Sequence, residues 1–245
     1  MTLYPEILKV LRILLEKSDN THWANWITQD IEEWNRSKST KHHLSAYGGM
    51  GSINDLWVGG NDIKGSWKNE IFDHSKSLAY ALAQRKGMGG SELVGISPNR
   101  HRAVIQGWRC LECGYGEVSK VEIESYIANK FVPILLRQKI ESGDVCKIVN
   151  ISELTIEEQV VEHRRKVISA VEKSEIRLIE RADKWMQPCP NCDSDNTAVY
   201  RWNFNENSDL GEITPSSDNL KLKTEKKTLH NNKYWTLGRW FKFWK

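Results

Sequence analysis

Residues 106–114, Gln-Gly-Trp-Arg-Cys-Leu-Glu-Cys-Gly, and residues 189–192, Cys-Pro-Asn-Cys, each place two cysteines three positions apart. Thiolates are preferred zinc ligands, and two such pairs supply the four that a tetrahedral site needs. Four thiolates leave no open coordination position, so the pattern predicts one structural Zn²⁺ ion rather than a catalytic one. The predicted metal ligands are Cys110, Cys113, Cys189 and Cys192.

The two cysteine pairs lie far apart along the chain, because seventy-five residues separate Cys113 from Cys189. The stretch between them carries capping boxes that begin at Ser119 and Thr155, and each predicts the start of a helix. The predicted helices span about 120–141 and 155–186. An antiparallel pair of helices starts and ends at one place. We therefore expect a long helical hairpin, inserted at about 119–187, to carry the second cysteine pair back to the first.

Other roles for the cysteines stay open at this point. The pairs are alternatively two unrelated sets of reduced cysteines, or a redox or disulfide site. Cys146 is the fifth cysteine, and we expect a free, partly buried thiol there because the four-ligand set is complete without it. Cysteines in CxxC pairs are typical of a reducing compartment, so the expected location is the cytoplasm.

Apolar–polar alternation indicates strands on both flanks of the insertion. The predicted strands are Leu93–Ile96, Ala103–Trp108 and Thr197–Phe204, and the first two are joined by a turn. With strands beside each cysteine pair, residues 106–204 resemble a zinc ribbon that contains a helical insertion. The long spacing between the pairs departs from that pattern, since a compact ribbon keeps them much closer.

The expected fold class is α+β, mainly α, in three parts. Residues 1–90 are predicted to form a helical domain, residues 91–206 a zinc-ribbon-like β module with the inserted hairpin, and residues 207–245 an acidic linker with a basic, aromatic C-terminal tail. Within the first part, helical periodicity and N-cap residues predict three helices. They cover residues 3–17, Thr21–Asn35 and 73–86, the last capped at Asp73.

A glycine-rich motif follows the second predicted helix. Residues 47–56, Tyr-Gly-Gly-Met-Gly-Ser-Ile-Asn-Asp-Leu, preceded by His43-Leu-Ser-Ala46, resemble the HLLSAFGGMGSFNDL-like motif of a small uncharacterised bacterial family. The resemblance covers about residues 1–85. That family brings no established activity, but its stand-alone cytoplasmic members are associated with bacterial conflict systems, toxin neutralisation among them. The resemblance therefore implies a role in immunity or defence.

The same loop offers side chains and backbone groups for a site. Three glycines could bring N–H groups close to an anion, but neither GxGxxG nor GxxxxGK[ST] is present, so we expect a structural turn buried against the second helix. Asp55 is expected to cap a helix or a turn. The possible loop site, an acid–base set if the protein is an enzyme, comprises His42, His43, Gly48, Gly49, Gly51, Asn54 and Asp55. No Ser/His/Asp order, HExxH or paired-carboxylate motif occurs, so no catalytic residue is assigned.

The C-terminal tail is rich in basic and aromatic residues. Residues 233–245 place six aromatic side chains within eleven positions, and residues 220–245 carry eight basic groups and one acidic group. Such residues anchor protein interfaces, so a protein partner is expected, with single-stranded nucleic acid and a membrane surface as alternatives. The predicted partner-binding residues are Tyr234, Trp235, Arg239, Trp240, Phe241, Phe243 and Trp244.

Composition excludes several classes of protein. No run of eighteen apolar residues occurs, so a transmembrane span is not expected, and the N-terminus lacks the basic region and cleavage site of a signal peptide. The net charge of +3 implies little about partners. The sequence therefore predicts a non-enzymatic zinc-binding protein that binds another macromolecule in a bacterial conflict or defence system. A nucleic-acid-binding zinc-ribbon protein and an enzyme with a site near His42–Asp55 are the alternatives.

Overall fold

The computed structural model describes residues 3–85, 103–180, 188–207 and 209–213. The predicted strand Leu93–Ile96 and the whole basic aromatic tail, with its seven predicted partner-binding residues, lie outside the described residues. Within the described part the fold is α+β and mainly α, as predicted: helices pack beside a five-stranded sheet.

Residues 3–85 form four helices. They are α1 (Leu3–Glu16), α2 (Thr21–Ser37), α3 (Lys41–Ser45) and α4 (Ile63–Gln84). The predicted first and second helices are confirmed, and helix α1 buries the whole apolar stripe that predicted it. A short 3-10 turn, Ile53–Asp55, follows the glycine-rich loop.

Helix α4 begins ten residues before the predicted start at Asp73. Its N-cap is Asp62, whose side chain accepts a hydrogen bond from the N–H of Gly65 at 2.6 Å. The first turns of α4 are buried on most of their faces, and the buried residues include polar ones such as Ser66 and Asn69. These turns therefore lack the one-sided apolar periodicity from which a helix is predicted. Trp67, in this missed stretch, is fully buried.

The sheet combines four strands that flank the predicted insertion with one strand, β3, that lies within it. Its strands are β1 (Ile105–Cys110), β2 (Gly116–Ser119), β3 (Arg177–Ile179), β4 (Thr197–Phe204) and β5 (Leu210–Ile213), in the spatial order β3-β2-β1-β4-β5. Strand β1 pairs antiparallel with β2 and β4, and Cys110 lies opposite Thr197. Strands β2 and β3 pair in parallel. The pairing of β1 with β4 is what brings the two cysteine pairs to one end of the sheet.

The insertion contains helices α5 (Lys120–Glu141), α6 (Ile151–Leu154) and α7 (Glu158–Lys173). Helix α5 has the predicted bounds, and its Ser119 cap accepts a hydrogen bond from the N–H of Glu122 at 3.2 Å. The predicted helix over 155–186 is wrong at both ends. Thr155 does not cap it, because Thr155 ends α6 and Glu157 is the N-cap residue of α7. The helix then ends at Lys173, and the chain re-enters the sheet as β3. Glu175 has a φ of 57°, which ends the helix, and residues 181–187 lie outside the described part.

One hydrophobic core includes side chains from α1, α4, α5, α7 and the sheet. Helices α4, α5 and α7 are also joined by a polar contact, in which buried Glu124 accepts a hydrogen bond from Trp67 Nε1 at 2.9 Å and pairs with Arg164. The helical and sheet parts are therefore packed together. The predicted domain boundaries, at residues 90 and 206, stay predictions.

Candidate metal centre

The four predicted ligand cysteines lie together at one end of the sheet. Their sulfur atoms are all within 4.8 Å of one another, and the Cys110–Cys192 and Cys113–Cys189 Sγ–Sγ distances are both 3.6 Å. A disulfide needs about 2.05 Å, so the four side chains are free thiols. Tetrahedral zinc with Zn–S bonds of about 2.3 Å places its sulfurs about 3.8 Å apart. The cluster therefore has the size that a single metal ion requires.

Each pair of cysteines is presented by the same kind of turn. The N–H of Cys110 donates to the carbonyl of Tyr115, and the N–H of Gly114 donates to the carbonyl of Cys110. The second turn repeats both bonds, from Cys189 to Ser194 and from Asp193 to Cys189. The two turns are thus equivalent, although they are far apart in sequence.

The turns also contact each other directly. The N–H of Leu111 donates to the carbonyl of Asn196 at 2.8 Å, and the side chain of Asn196 donates to Glu112 at 2.8 Å. Cys110 and Cys189 are buried against Trp108, while Cys113 and Cys192 are exposed. The site therefore has a buried inner pair and an exposed outer pair, with one cysteine of each pair from each turn.

The thiols of the outer pair differ in pKa. Hydrogen bonds from the Asn191 side chain and from the backbone of Tyr115 lower the pKa of Cys113 to about 6. At Cys192 a backbone hydrogen bond from Ser194 favours the thiolate, but the facing thiols, Cys113 first, raise its pKa to about 12. Sulfurs this close cannot all carry a negative charge unless a cation lies between them. The donor set is therefore suited to a divalent metal ion.

The glycine-rich loop is placed differently from the prediction. Gly48, Gly49, Met50 and Gly51 are exposed, and Met50 is fully so, with 102% relative accessibility. The predicted burial of this loop against the second helix is wrong, because the loop closes on itself. The N–H of Gly51 donates to Asp55 Oδ2 at 2.8 Å, which confirms the expected capping role of Asp55. Gly49 and Gly51 have φ values of 81° and 76°, as expected for a structural turn.

The two histidines of the possible loop site meet a carboxylate that the sequence analysis did not identify. Asp30 is buried on helix α2, and its two oxygens lie 2.5 Å from His42 Nδ1 and 2.8 Å from His43 Nδ1. Carboxylate oxygens accept hydrogen bonds, so this geometry suits histidine tautomers that donate from Nδ1. Among the hydrogen bonds of the described residues, none joins either histidine to Asn54 or Asp55. The two histidines therefore form their hydrogen-bonded group with Asp30 and not with the other side chains of the possible loop site.

The two histidines have different surroundings. His43 is fully buried, and its Nε2 lies 3.1 Å from the hydroxyl of Tyr47. His42 keeps 30% of its side chain exposed, while its ring stacks on Trp26 at 4.3 Å and its backbone N–H donates to Glu33 at 3.2 Å. Asp30 lies between Ile27 and Ile31 on the inner side of α2, and a charged residue within an apolar stripe was the signal that could have identified it.

Two other expectations concern single residues. Cys146 is half-buried and outside the cysteine cluster, as predicted, and burial raises the pKa of its thiol. None of the helices in the described ranges combines the length and the hydropathy that a membrane span requires.

Comparison with known proteins gives one partial match. Residues 16–64 match a family described as a domain of unknown function (DUF6966). No curated protein matches the chain, and no solved structure does. The matched range contains helices α2 and α3 with Asp30, His42 and His43, and it ends before the cysteine cluster. The resemblance of residues 47–56 to a bacterial motif stays a prediction.

Proposed function

We propose that the protein binds one structural Zn²⁺ ion through Cys110, Cys113, Cys189 and Cys192. The observation that supports this most directly is the separation of the four sulfurs, which all lie within 4.8 Å of one another. A structural ion of this kind stabilises a fold, because its binding free energy is also folding free energy. Here it would fasten the turn after β1 to the segment before β4, in a module that resembles a zinc ribbon.

The experiment that tests this proposal is metal analysis of the purified protein and of matched cysteine variants. We expect one zinc per chain in the wild type, and loss of the metal in Cys113→Ser and in Cys192→Ser. Cys146→Ser is the matched control, because it removes a thiol that lies outside the cluster. A wild-type protein without metal, or a Cys192→Ser variant that keeps a full equivalent, would contradict the proposal.

We also propose that the protein is a non-enzymatic, cytoplasmic component that acts by binding another macromolecule, with a protein as the first candidate. The basic aromatic composition of residues 233–245 and the resemblance of the glycine-rich motif to a bacterial family support this proposal. A role in bacterial conflict, as an immunity-like component, follows from that resemblance. A reducing compartment is consistent with four thiols that remain available for a metal ion.

This part of the proposal is tested with the protein encoded next to it in the genome. We expect that protein to be toxic when expressed alone and harmless when this chain is co-expressed. A chain truncated after Asn232 should lose protection while it keeps its zinc. Protection that survives removal of the tail would place the partner-binding surface elsewhere. Absence of any protection or binding would argue against the immunity role.

A second candidate function, that of an enzyme, is favoured by the arrangement around Asp30. A carboxylate that fixes Nδ1 of a histidine leaves Nε2 as the basic atom, which is how many general bases are oriented. Of the two histidines on Asp30, His42 is the partly exposed one, so proton transfer would use His42, and Asp30 would be its positioning residue. Hydrolysis of p-nitrophenyl acetate, an activated ester, tests whether the ring is unusually reactive. The rate of hydrolysis should fall when His42 or Asp30 is substituted. It should not change when His22, which is exposed, is substituted as the control. An unchanged rate in His42→Gln would exclude a role of His42 in proton transfer.

A further inference from the structure

A groove of about 530 Å³ lies at the start of helix α7. It presents two apolar side chains to solvent, since Ile156 is 72% exposed and Val161 is 45% exposed. Exposed apolar groups that lie next to each other commonly mark a contact surface. We call this surface the α7 patch, and its lining residues are Ile156, Glu158, Gln159, Val161 and Glu162.

The α7 patch is acidic as well as apolar. Two of its five lining residues are glutamates, Glu158 and Glu162, and none is a lysine or an arginine. Glu162 is paired with Arg165 at 2.7 Å and with Lys166 at 3.6 Å, whereas Glu158 makes no ion pair within the described part of the chain. The surface therefore favours an occupant that brings apolar rings together with positive charge.

The C-terminal tail of the same chain has that chemistry. Residues 233–245 contain six aromatic residues with four lysines and arginines among them, and no acidic residue. Glu158, the lining glutamate without an ion pair among the described residues, favours a basic occupant over nucleic acid or an anionic membrane surface, both of which carry negative charge. The composition of the tail therefore matches the α7 patch in both charge and apolar character.

The tail also begins at a suitable place. Strand β4 ends beside helix α7, where the ring of Phe204 lies 5.3 Å from the ring of His163. Strand β5 follows directly and ends at Ile213, which leaves 32 residues to the C-terminus. An extended segment of that length spans roughly 100 Å, several times the length of helix α7, so reach does not limit the contact.

We propose that the α7 patch binds the basic aromatic tail of its own chain, with Trp240 and Trp244 against Ile156 and Val161. Lysines of the tail, such as Lys242, lie near Glu158 in this arrangement. This inference rests on the same tail as the proposed partner binding, and it adds that a partner must compete with the α7 patch. It is tested on the isolated chain, so it can fail while partner binding stands.

Amide hydrogen exchange of the full chain is the first test. The first amides of a helix lack intrahelical acceptors, so those of Glu158 and Gln159 exchange fast unless something covers them. If the tail covers these amides nine-tenths of the time, they exchange about tenfold more slowly than uncovered amides. We expect the double variant Trp240→Ala/Trp244→Ala to remove that protection. Unchanged exchange over residues 156–162 in this double variant would overturn the proposal.

The reciprocal change tests the patch itself. Ile156→Lys/Val161→Lys should raise the exchange rate of tail amides 234–244 to that of an unprotected chain. Ile63→Lys is the matched control, because Ile63 is 40% exposed on helix α4, outside the patch. An equal effect of Ile63→Lys would show that the tail does not recognise the α7 patch.

Zero-length carbodiimide cross-linking identifies the residues in contact and the copy that supplies the tail. In a mixture of ¹⁴N and ¹⁵N chains, we expect cross-links from tail lysines to Glu158 or Glu162 within one isotope. Mixed-isotope cross-links would show a second copy as the occupant instead. Cross-links that reach other carboxylates but not these two would also overturn the proposal.

Discussion

Gly114 and Asp193 occupy the same position in the two cysteine turns. Each is the fourth residue after the first cysteine of its pair, each donates its N–H to that cysteine's carbonyl, and both have positive φ, 74° and 56°. Glycine adopts this conformation without strain, and aspartate is among the residues that tolerate it best. The two turns therefore have one backbone geometry, although only one of them contains the residue that this geometry favours.

This equivalence predicts effects of different size for substitutions at the two positions. Gly114→Ala introduces a side chain at positive φ and should lower the free energy of unfolding by about 1 kcal/mol. Asp193→Gly relieves a similar strain but adds freedom to the unfolded chain, so its effect should stay within about 0.5 kcal/mol of zero. Urea unfolding of the metal-loaded protein measures both. Equal destabilisation by the two changes would contradict the equivalence.

Metal removal should loosen one end of the molecule. We expect a strong chelator to release zinc and to speed amide exchange over β1, β2 and the start of β4, because these segments carry the cysteine turns. Helices α1 and α2 should keep their protection, since they pack in the hydrophobic core and contain no ligand cysteine. Amide exchange measured before and after chelation tests whether the loss of protection is confined to these strands. Global unfolding on chelation would instead show that the whole fold depends on the ion.

The environment of His163 predicts a dependence of stability on pH. Its buried ring lies among Tyr126, Phe131 and Phe204, and burial, with a smaller effect of Lys130, lowers its pKa from 6.5 to about 4. Between these two values the unfolded chain binds a proton that the folded chain does not, so stability is lost as pH falls. This group should lower the free energy of unfolding by about 2 kcal/mol between pH 7 and pH 5.

A variant isolates that contribution from other titrating groups. His163→Phe keeps a ring among the three aromatic neighbours and removes the ionisable nitrogen. Urea unfolding at pH 7 and pH 5 should therefore show a smaller difference in His163→Phe than in the wild type. If the two proteins lose the same stability over this interval, the histidine is protonated in the folded state.

The Asp30 carboxylate should be important for stability because it is buried and bound by two imidazoles. Asp30→Ala leaves buried His43 and partly exposed His42 without their acceptor and should cost about 3 kcal/mol, whereas Asp30→Asn keeps one acceptor oxygen and should cost less. Glu32→Ala, at an exposed position of the same helix, is the control and should stay within about 0.5 kcal/mol of the wild type. Thermal or urea unfolding ranks the three, and equal stability of Asp30→Ala and Glu32→Ala would contradict the structural role.

The sequence predicted those features that depend on local or fixed-spacing signals. The stripe of helix α1, the Ser119 cap of α5 and the four cysteines are all of this kind. The end of α7 was missed because Val171 and Leu178 are seven residues apart, which fits two helical turns, while Ile176 and Leu178 also fit the alternation of a strand. Strand β3 forms because β2 is available to pair with it, and this long-range contact is not encoded in residues 177–179 alone.

Asp30 is a second feature that depends on long-range contacts and that local sequence patterns therefore did not predict. Its contacts with His42 and His43 depend on how α3 folds back along α2, which no spacing rule specifies. The glycine-rich loop was misplaced for a related reason. Its glycines correctly predicted a turn, but whether such a turn faces the core or solvent depends on its neighbours in three dimensions.

The division of the cysteines into an inner and an outer pair has a kinetic consequence. In the zinc-loaded protein, an incoming thiol or chelator reaches Cys113 and Cys192 first, because Cys110 and Cys189 are buried against Trp108. Each turn would thus give up one ligand while the other still holds the ion. Metal exchange should then proceed stepwise through a mixed complex, in which Cys110, Cys189 and the competing ligand would hold the ion together, and its rate should increase with the concentration of that ligand.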